Sequence, residues 1–187
     1  MKLIPALRRP RDEAVAGTLY RSIVEQSRQF GFYSECGVPD TPEGRYDMIV
    51  AHLVLVLRRL RRVHAETKNL AQALFDLMFA DMDQNLREMG VGDLAVGKRV
   101  KAMATAFYGR LAAYDAALSN EDDAALRSAL RRNLFRKATP TGGQVAAVAA
   151  YLRREAKRLD GEPIDSLAAG CLRFGVAPDR TVKDGDD

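Results

Sequence analysis

Residues 75–93, FDLMFADMDQNLREMGVGD, hold the side chains best suited to chemistry: Asp76, Asp81, Asp83, the Arg87–Glu88 pair, and two glycines where a helix must end. GRLAAYD follows at 109–115. Carboxylates this close in sequence can hold a metal, pair with arginines between helices, or form the polar part of a partner groove. On a helix, Asp76 and Asp83 share a face, with Arg87 one turn beyond Asp83; Asp81 lies on another face with Asn85 and Glu88. A metal would need ligands from other helices, as in the Glu-x-x-His pairs of di-iron bundles. Neither His52 nor His64 has a carboxylate three residues before it, and Cys36 and Cys171 form no CxxC or Cys/His pair. No metal and no cofactor are expected. A carboxylate buried between helices must be paired, and Arg45, Arg87, Arg99 and Arg110 are the candidate partners.

Cationic and aromatic groups come next. Lys98, Arg99 and Lys101 stand in the opening turns of a predicted helix, where the dipole disfavours positive charge. Asp93 can offset them. Arg58, Arg59, Arg61 and Arg62 cluster at a helix end that suits them. Arg127, Arg131, Arg132, Arg136 and Lys137 form a patch that reads either as a solvated face or as a contact for RNA or an anionic membrane surface. Base stacking needs exposed aromatics, which are few, so sequence-specific nucleic-acid binding is not supported. Phe30, Phe32, Tyr33 and Tyr46 either cap the core or form a partner surface. Nucleophile-elbow, phosphate-loop and dinucleotide patterns are missing from the sequence. GVGDLAVGK at 90–98 lacks P-loop spacing and a preceding strand. An enzyme is not expected.

The elements that must position these groups read as helices. The chain has 187 residues, 47% hydrophobic and 29% charged, with a net charge of +4, which fits one globular domain. Its most apolar run, MIVAHLVLVL at 48–57, is too short to span a bilayer, which takes about 20 residues. Periodicity predicts helices over about 12–29, 42–63, 66–89, 94–119, 121–133, 142–159 and 163–170, with a loop at 30–44. Thr41-Pro42-Glu43 is a helix start, Gly90 a left-handed helix end, and Asp93 a cap. The second helix is apolar almost all round and therefore central. The expected fold is all-α: a single compact multi-helix domain of about six or seven helices, with no sheet. An N-terminal arm (1–11) precedes the domain (12–176), and a flexible tail (177–187) follows. Both cysteines are expected as thiols in a reducing compartment.

Four strings, LYRSIVEQSRQFGFY (19–33), GVPDTPEGRYDMIVAHLVLVLRRL (37–60), LAQALFDLMFADMDQNLREMGVGDLAVGKRVKAM (70–103) and FYGRLAAYDAAL (107–118), resemble the ubiquinol–cytochrome c chaperone family. The resemblance covers roughly 19–135 and is weaker from about 138. The N-terminus is short for a mitochondrial member, so the chain looks like a bacterial relative of alphaproteobacterial type. The resemblance implies an all-helical, non-enzymatic assembly chaperone for ubiquinol–cytochrome c reductase. It would bind newly made cytochrome b, or an early intermediate, at the cytoplasmic face of the inner membrane. Ribosome association and a small partner subunit, known for mitochondrial members, carry over less directly. The family supplies no contact list, so the expected partner-binding residues rest on physics: Arg45, Asp81, Asp83, Arg87, Glu88, Asp93 and Lys98 as polar anchors, with Phe32 and Tyr33 as apolar ones. Two alternatives stand beside this reading: a peripheral membrane- or ribosome-associated adaptor working through its arginines, and a lipid or small-molecule binder with a cavity between helices.

Overall fold

The structure, a computed structural model, describes residues 10–120 and 123–178. Most of the expected arm and tail, and residues 121–122 at the expected start of one helix, lie outside the described residues. Eight helices occur among the described residues and no strand does: α1 Pro10–Ser27, α2 Phe30–Ser34, α3 Pro42–Arg61, α4 His64–Glu88, α5 Asp93–Ser119, α6 Asp123–Asn133, α7 Gly142–Gly161 and α8 Ile164–Ala168. The chain is therefore all-α, as expected. Pro10 and Arg11, assigned to an arm, already belong to α1.

α3 is the axis of the molecule. Every residue from Tyr46 to Leu57 is buried, so no face of the helix is left for water. Burial all round requires neighbours all round, and α3 packs against α1, α4, α5 and α7. Its start is fixed as predicted: Thr41 is the N-cap, its hydroxyl accepts from the Gly44 N–H at 3.1 Å, and Pro42 opens the helix. Gly44 has no room for a side chain, since a Cβ there would lie 2.0 Å from the Pro39 carbonyl oxygen. α7 begins with a capping box, Thr141 accepting from Gln144 N–H while the Gln144 side chain accepts from Thr141 N–H.

The 30–44 segment is not wholly a loop. Phe30–Ser34 forms one short helix, too brief to show a period and held by what it packs on. Phe32 is completely buried, edge-on to Tyr151 and His52.

α4 and α5, of 25 and 27 residues, form an antiparallel hairpin. Its turn is a Schellman motif: Gly90 adopts φ +80°, with Gly90 N–H donating to Arg87 O and Val91 N–H to Leu86 O. An aromatic cluster of Phe75, Phe79, Phe107 and Tyr108 locks the two helices where they cross, with ring centroids 4.7–6.0 Å apart. Beyond that cluster the body no longer covers the hairpin. From Gln84 to Ala102 only Val96 is buried.

After α8 the chain runs as a strap across α1 and α7, gripped by its backbone. The buried Glu155 carboxylate accepts from Gly175 N–H at 2.9 Å. Gln26 donates to Gly175 O at 2.8 Å, and Arg154 to Val176 O at 2.7 Å. No helix of the described residues is long and apolar enough to cross a membrane.

Candidate partner-binding surface

Six of the nine residues expected to bind a partner lie on the α4–α5 hairpin, toward its turn. Arg87 organises them. Its Nε donates to Asp83 Oδ2 at 2.6 Å, one turn back along α4, and its Nη1 reaches the Asp93 carboxylate at the start of α5. One guanidinium thus ties both ends of the turn, the fork geometry that suits arginine to two carboxylates. Asp93 is the first residue of α5, and Gly92 is its N-cap. The expected cap is therefore displaced by one position, because Arg87 takes the carboxylate that capping would have used.

Asp81 faces inward and accepts from Tyr20 Oη at 2.7 Å, fastening α4 to α1. Burial first, and this bond second, push the Tyr20 phenol far up, so Tyr20 stays a donor. Glu88 accepts from Gln84 at 2.9 Å. Lys98, Arg99 and Lys101 make no ion pair among the described residues and are exposed. Between these polar groups stand apolar side chains turned to solvent: Met89 at 62%, Leu94 at 98% and Tyr108 at 58% exposure. The spacing of Leu94, Lys98, Lys101 and Tyr108 puts them on one face of α5.

The remaining candidates lie elsewhere. Arg45 pairs with Asp40 just before α3, not with the acids of α4. Phe32 is core rather than surface, and the exposed aromatic of its helix is Phe30. Tyr33 is half-buried and donates to Ser27 O at 2.7 Å. Beside them, a groove of 620 Å³ runs between α2 and the strap, with Phe30, Phe174 and Val176 on its walls. Among the described residues no group of His, Cys, Asp and Glu is placed to hold a metal.

Two buried polar clusters were not anticipated. Asp47, 3% exposed, sits between Arg110 Nη2 at 2.9 Å and Arg136 Nη2 at 2.8 Å. It joins α3 to α5 and to the segment after α6. Arg110 also lies over the Tyr46 ring. Burial pushes the Asp47 carboxyl up, and both guanidiniums pull it back. In the second cluster His52 Nδ1 faces Met48 O at 2.9 Å and Nε2 faces Tyr151 Oη at 2.9 Å. A carbonyl can only accept, so the proton is on Nδ1 and Nε2 accepts from Tyr151, which accepts from Gln26 in turn. Burial pulls the His52 pKa down to about 4. Both clusters left a mark in the sequence. Asp47 and His52 lie in a helix apolar all round, and Arg110 lies between Phe107 and Tyr114 on the inward stripe of α5.

Residues 34–174 match the family described as Ubiquinol-cytochrome C chaperone, which extends the likeness through α7 and α8, past residue 135 where the sequence resemblance faded. The chain is 28% identical over 159 residues to the mouse ubiquinol-cytochrome c reductase complex assembly factor 1, covering 83% of this chain and 53% of that protein. It is 26% identical over 142 residues to the human protein of the same name, covering 76% of this chain and 47% of that protein. It thus spans about half the length of these relatives. The crystal structure of the Cbp3 homolog from Brucella abortus superposes with a TM-score of 0.80 at 38% identity, covering 89% of this chain and 92% of that one. Matched from the end of α2 into the strap, the chain belongs to the ubiquinol–cytochrome c chaperone family, a family of assembly chaperones and not of enzymes.

Proposed function

We propose that this protein assists assembly of ubiquinol–cytochrome c reductase by binding newly made cytochrome b, or an early intermediate containing it, through the α4–α5 hairpin. Family membership over residues 34–174 carries the assembly role. The hairpin is favoured as the client surface because Met89, Leu94 and Tyr108 are exposed there beside fixed charges. A client made of membrane helices exposes apolar surface before insertion, and apolar contact is what shields it. Asp83, Arg87, Glu88, Asp93 and Lys98 would rim that contact and set its register. Phe30, at the groove by α2, offers a second apolar contact, with the half-buried Tyr33 on the same short helix. The work would be done at the inner face of the cytoplasmic membrane, and the same reading extends to contact with the ribosome.

The test is capture from mildly solubilised membranes of the native host. Tagged protein should enrich cytochrome b. A Met89→Ser, Leu94→Ser variant should lose most of that enrichment, about tenfold or more, and an Arg87→Glu, Glu88→Arg variant should weaken it. Wild-type capture of cytochrome b that both variants retain would remove the hairpin from the proposal. No capture by any of them would remove the client.

A further inference from the structure

Between Asp123 and Glu155 the sequence contains no acid and seven cations. Nowhere else among the described residues does one sign of charge run so far, and the structure turns much of it to one side. α6 buries Leu126, Ala129 and Leu130 against the body. Its opposite face exposes Arg127, Arg131 and Arg132, with only Ala124, Ala125 and Ser128 between them. Arg136 and Lys137 continue the exposed strip past the helix end. Arg127 is 3.9 Å from Asp123, whose carboxylate is also held by Arg153 at 2.7 Å. Arg136 spends its guanidinium on Asp47 and so fixes the strip to α3. Arg131, Arg132 and Lys137 have no acidic partner among the described residues. The dipole accounts for a cation or two at the end of α6. It does not account for thirty-one residues without a counter-charge.

We infer that this face of α6 docks the protein on an anionic lipid bilayer. The chemistry that answers Arg131, Arg132 and Lys137 is a sheet of phosphate groups, and a convex helix face meets a plane without needing a cleft. Both aromatics of the stretch, Phe135 and Tyr151, are buried at 2% and 1% exposure, so no base could stack there. The choice of headgroups over an RNA phosphate backbone rests on the membrane location proposed above. Three unpaired cations, each worth about fivefold in partitioning to an anionic surface, give roughly a hundredfold together. The patch therefore concentrates the chaperone at the membrane and leaves the hairpin free for a client.

Flotation of the full chain with vesicles decides the matter. Phosphatidylcholine vesicles containing phosphatidylglycerol should carry the protein, and pure phosphatidylcholine vesicles should not. Binding should fade between about 0.1 M and about 1 M salt, as the screening length falls from about 10 Å to about 3 Å. An Arg131→Gln, Arg132→Gln, Lys137→Gln variant should lose roughly a hundredfold while melting like the wild type. Arg131→Lys with Arg132→Lys, which keeps the charge, should still float. Arg21→Gln with Lys68→Gln, exposed cations of α1 and α4, should also still float. Equal flotation of the triple variant, loss in the Arg21/Lys68 control, or binding to mixed-sequence duplex RNA in preference to anionic vesicles would each overturn the inference. Capture of cytochrome b from detergent extract by the same proteins needs no bilayer, so failure of the client reading shows separately.

Discussion

Asp47 and Asp83 are both aspartates paired with arginine, and they differ in what water can do for them. Asp83 is 37% exposed, so its bond to Arg87 competes with solvent and salt. Asp83→Ala should cost less than about 1 kcal/mol in urea unfolding. Asp47 is sealed, and removing it strands Arg110, itself only 7% exposed, without a counter-charge. Asp47→Ala should cost about 3–5 kcal/mol in the same measurement. His52 sets a pH dependence. In the folded protein it resists protonation down to about 4, whereas the unfolded chain takes up the proton near 6.5. Stability should therefore be full above pH 6.5 and fall as pH drops toward 4, by up to about 1.4 kcal/mol per unit. His52→Gln should flatten that slope. Glu155 acts lower on the scale. Burial alone would raise its pKa, but Gly175 N–H, Arg158 and Arg154 overcome that and hold it below the ordinary range, so its contribution is lost only in stronger acid. The burial of Asp47 and His52 follows from their place in an apolar helix, whereas that of Glu155, set among Arg153, Arg154, Lys157 and Arg158, leaves no such mark. Their partners are not legible. Sequence offers Arg110 as a mate for the acids of α4, and its mate is Asp47, on α3.

Helix ends carried the clearest local signals. Thr41-Pro42 and Gly90 act as their chemistry dictates, and α3 is central for the reason its composition states. Thr141→Ala removes one half of a capping box and should cost about 1 kcal/mol, read from the denaturation midpoint. Gly44→Ala is the sharper case. Alanine is the better helix former by about 1 kcal/mol, yet here a Cβ would meet the Pro39 carbonyl oxygen at 2.0 Å. A net loss of about 1–3 kcal/mol is expected. α2 escaped sequence reading because five residues cannot display a 3.6-residue period, and because tertiary contact through Phe32 holds it. The cap of α5 is Gly92, one residue before the Asp93 that the sequence suggests, because Asp93 is used across the turn by Arg87 rather than along the helix.

At the scale of the whole molecule, a dense bundle around α3 carries a hairpin whose outer half it does not cover. Substitution there should separate stability from binding. Met89 and Leu94 are exposed, so changing both to Ser should leave the unfolding free energy within about 0.5 kcal/mol per site while client capture falls. That two long helices flank Gly90 is readable from the sequence, where the first of them, apolar on two faces, reads as central. That the hairpin's end would stand clear of the body is not readable, because coverage depends on how far neighbouring helices reach. The strap at the other end of the chain has a different implication, for how freely its sequence can drift. Glu155, Gln26 and Arg154 hold peptide groups, not side chains. Val176 points outward at 83% exposure, so almost any residue could replace it. Gly175 is more constrained, since a Cβ there would sit 2.6 Å from Glu155 Oε1 and would have to displace the carboxylate that holds the strap. The specification of this segment is written more than a dozen residues upstream, on α1 and α7, and a comparison of relatives by the strap alone would miss what keeps it in place.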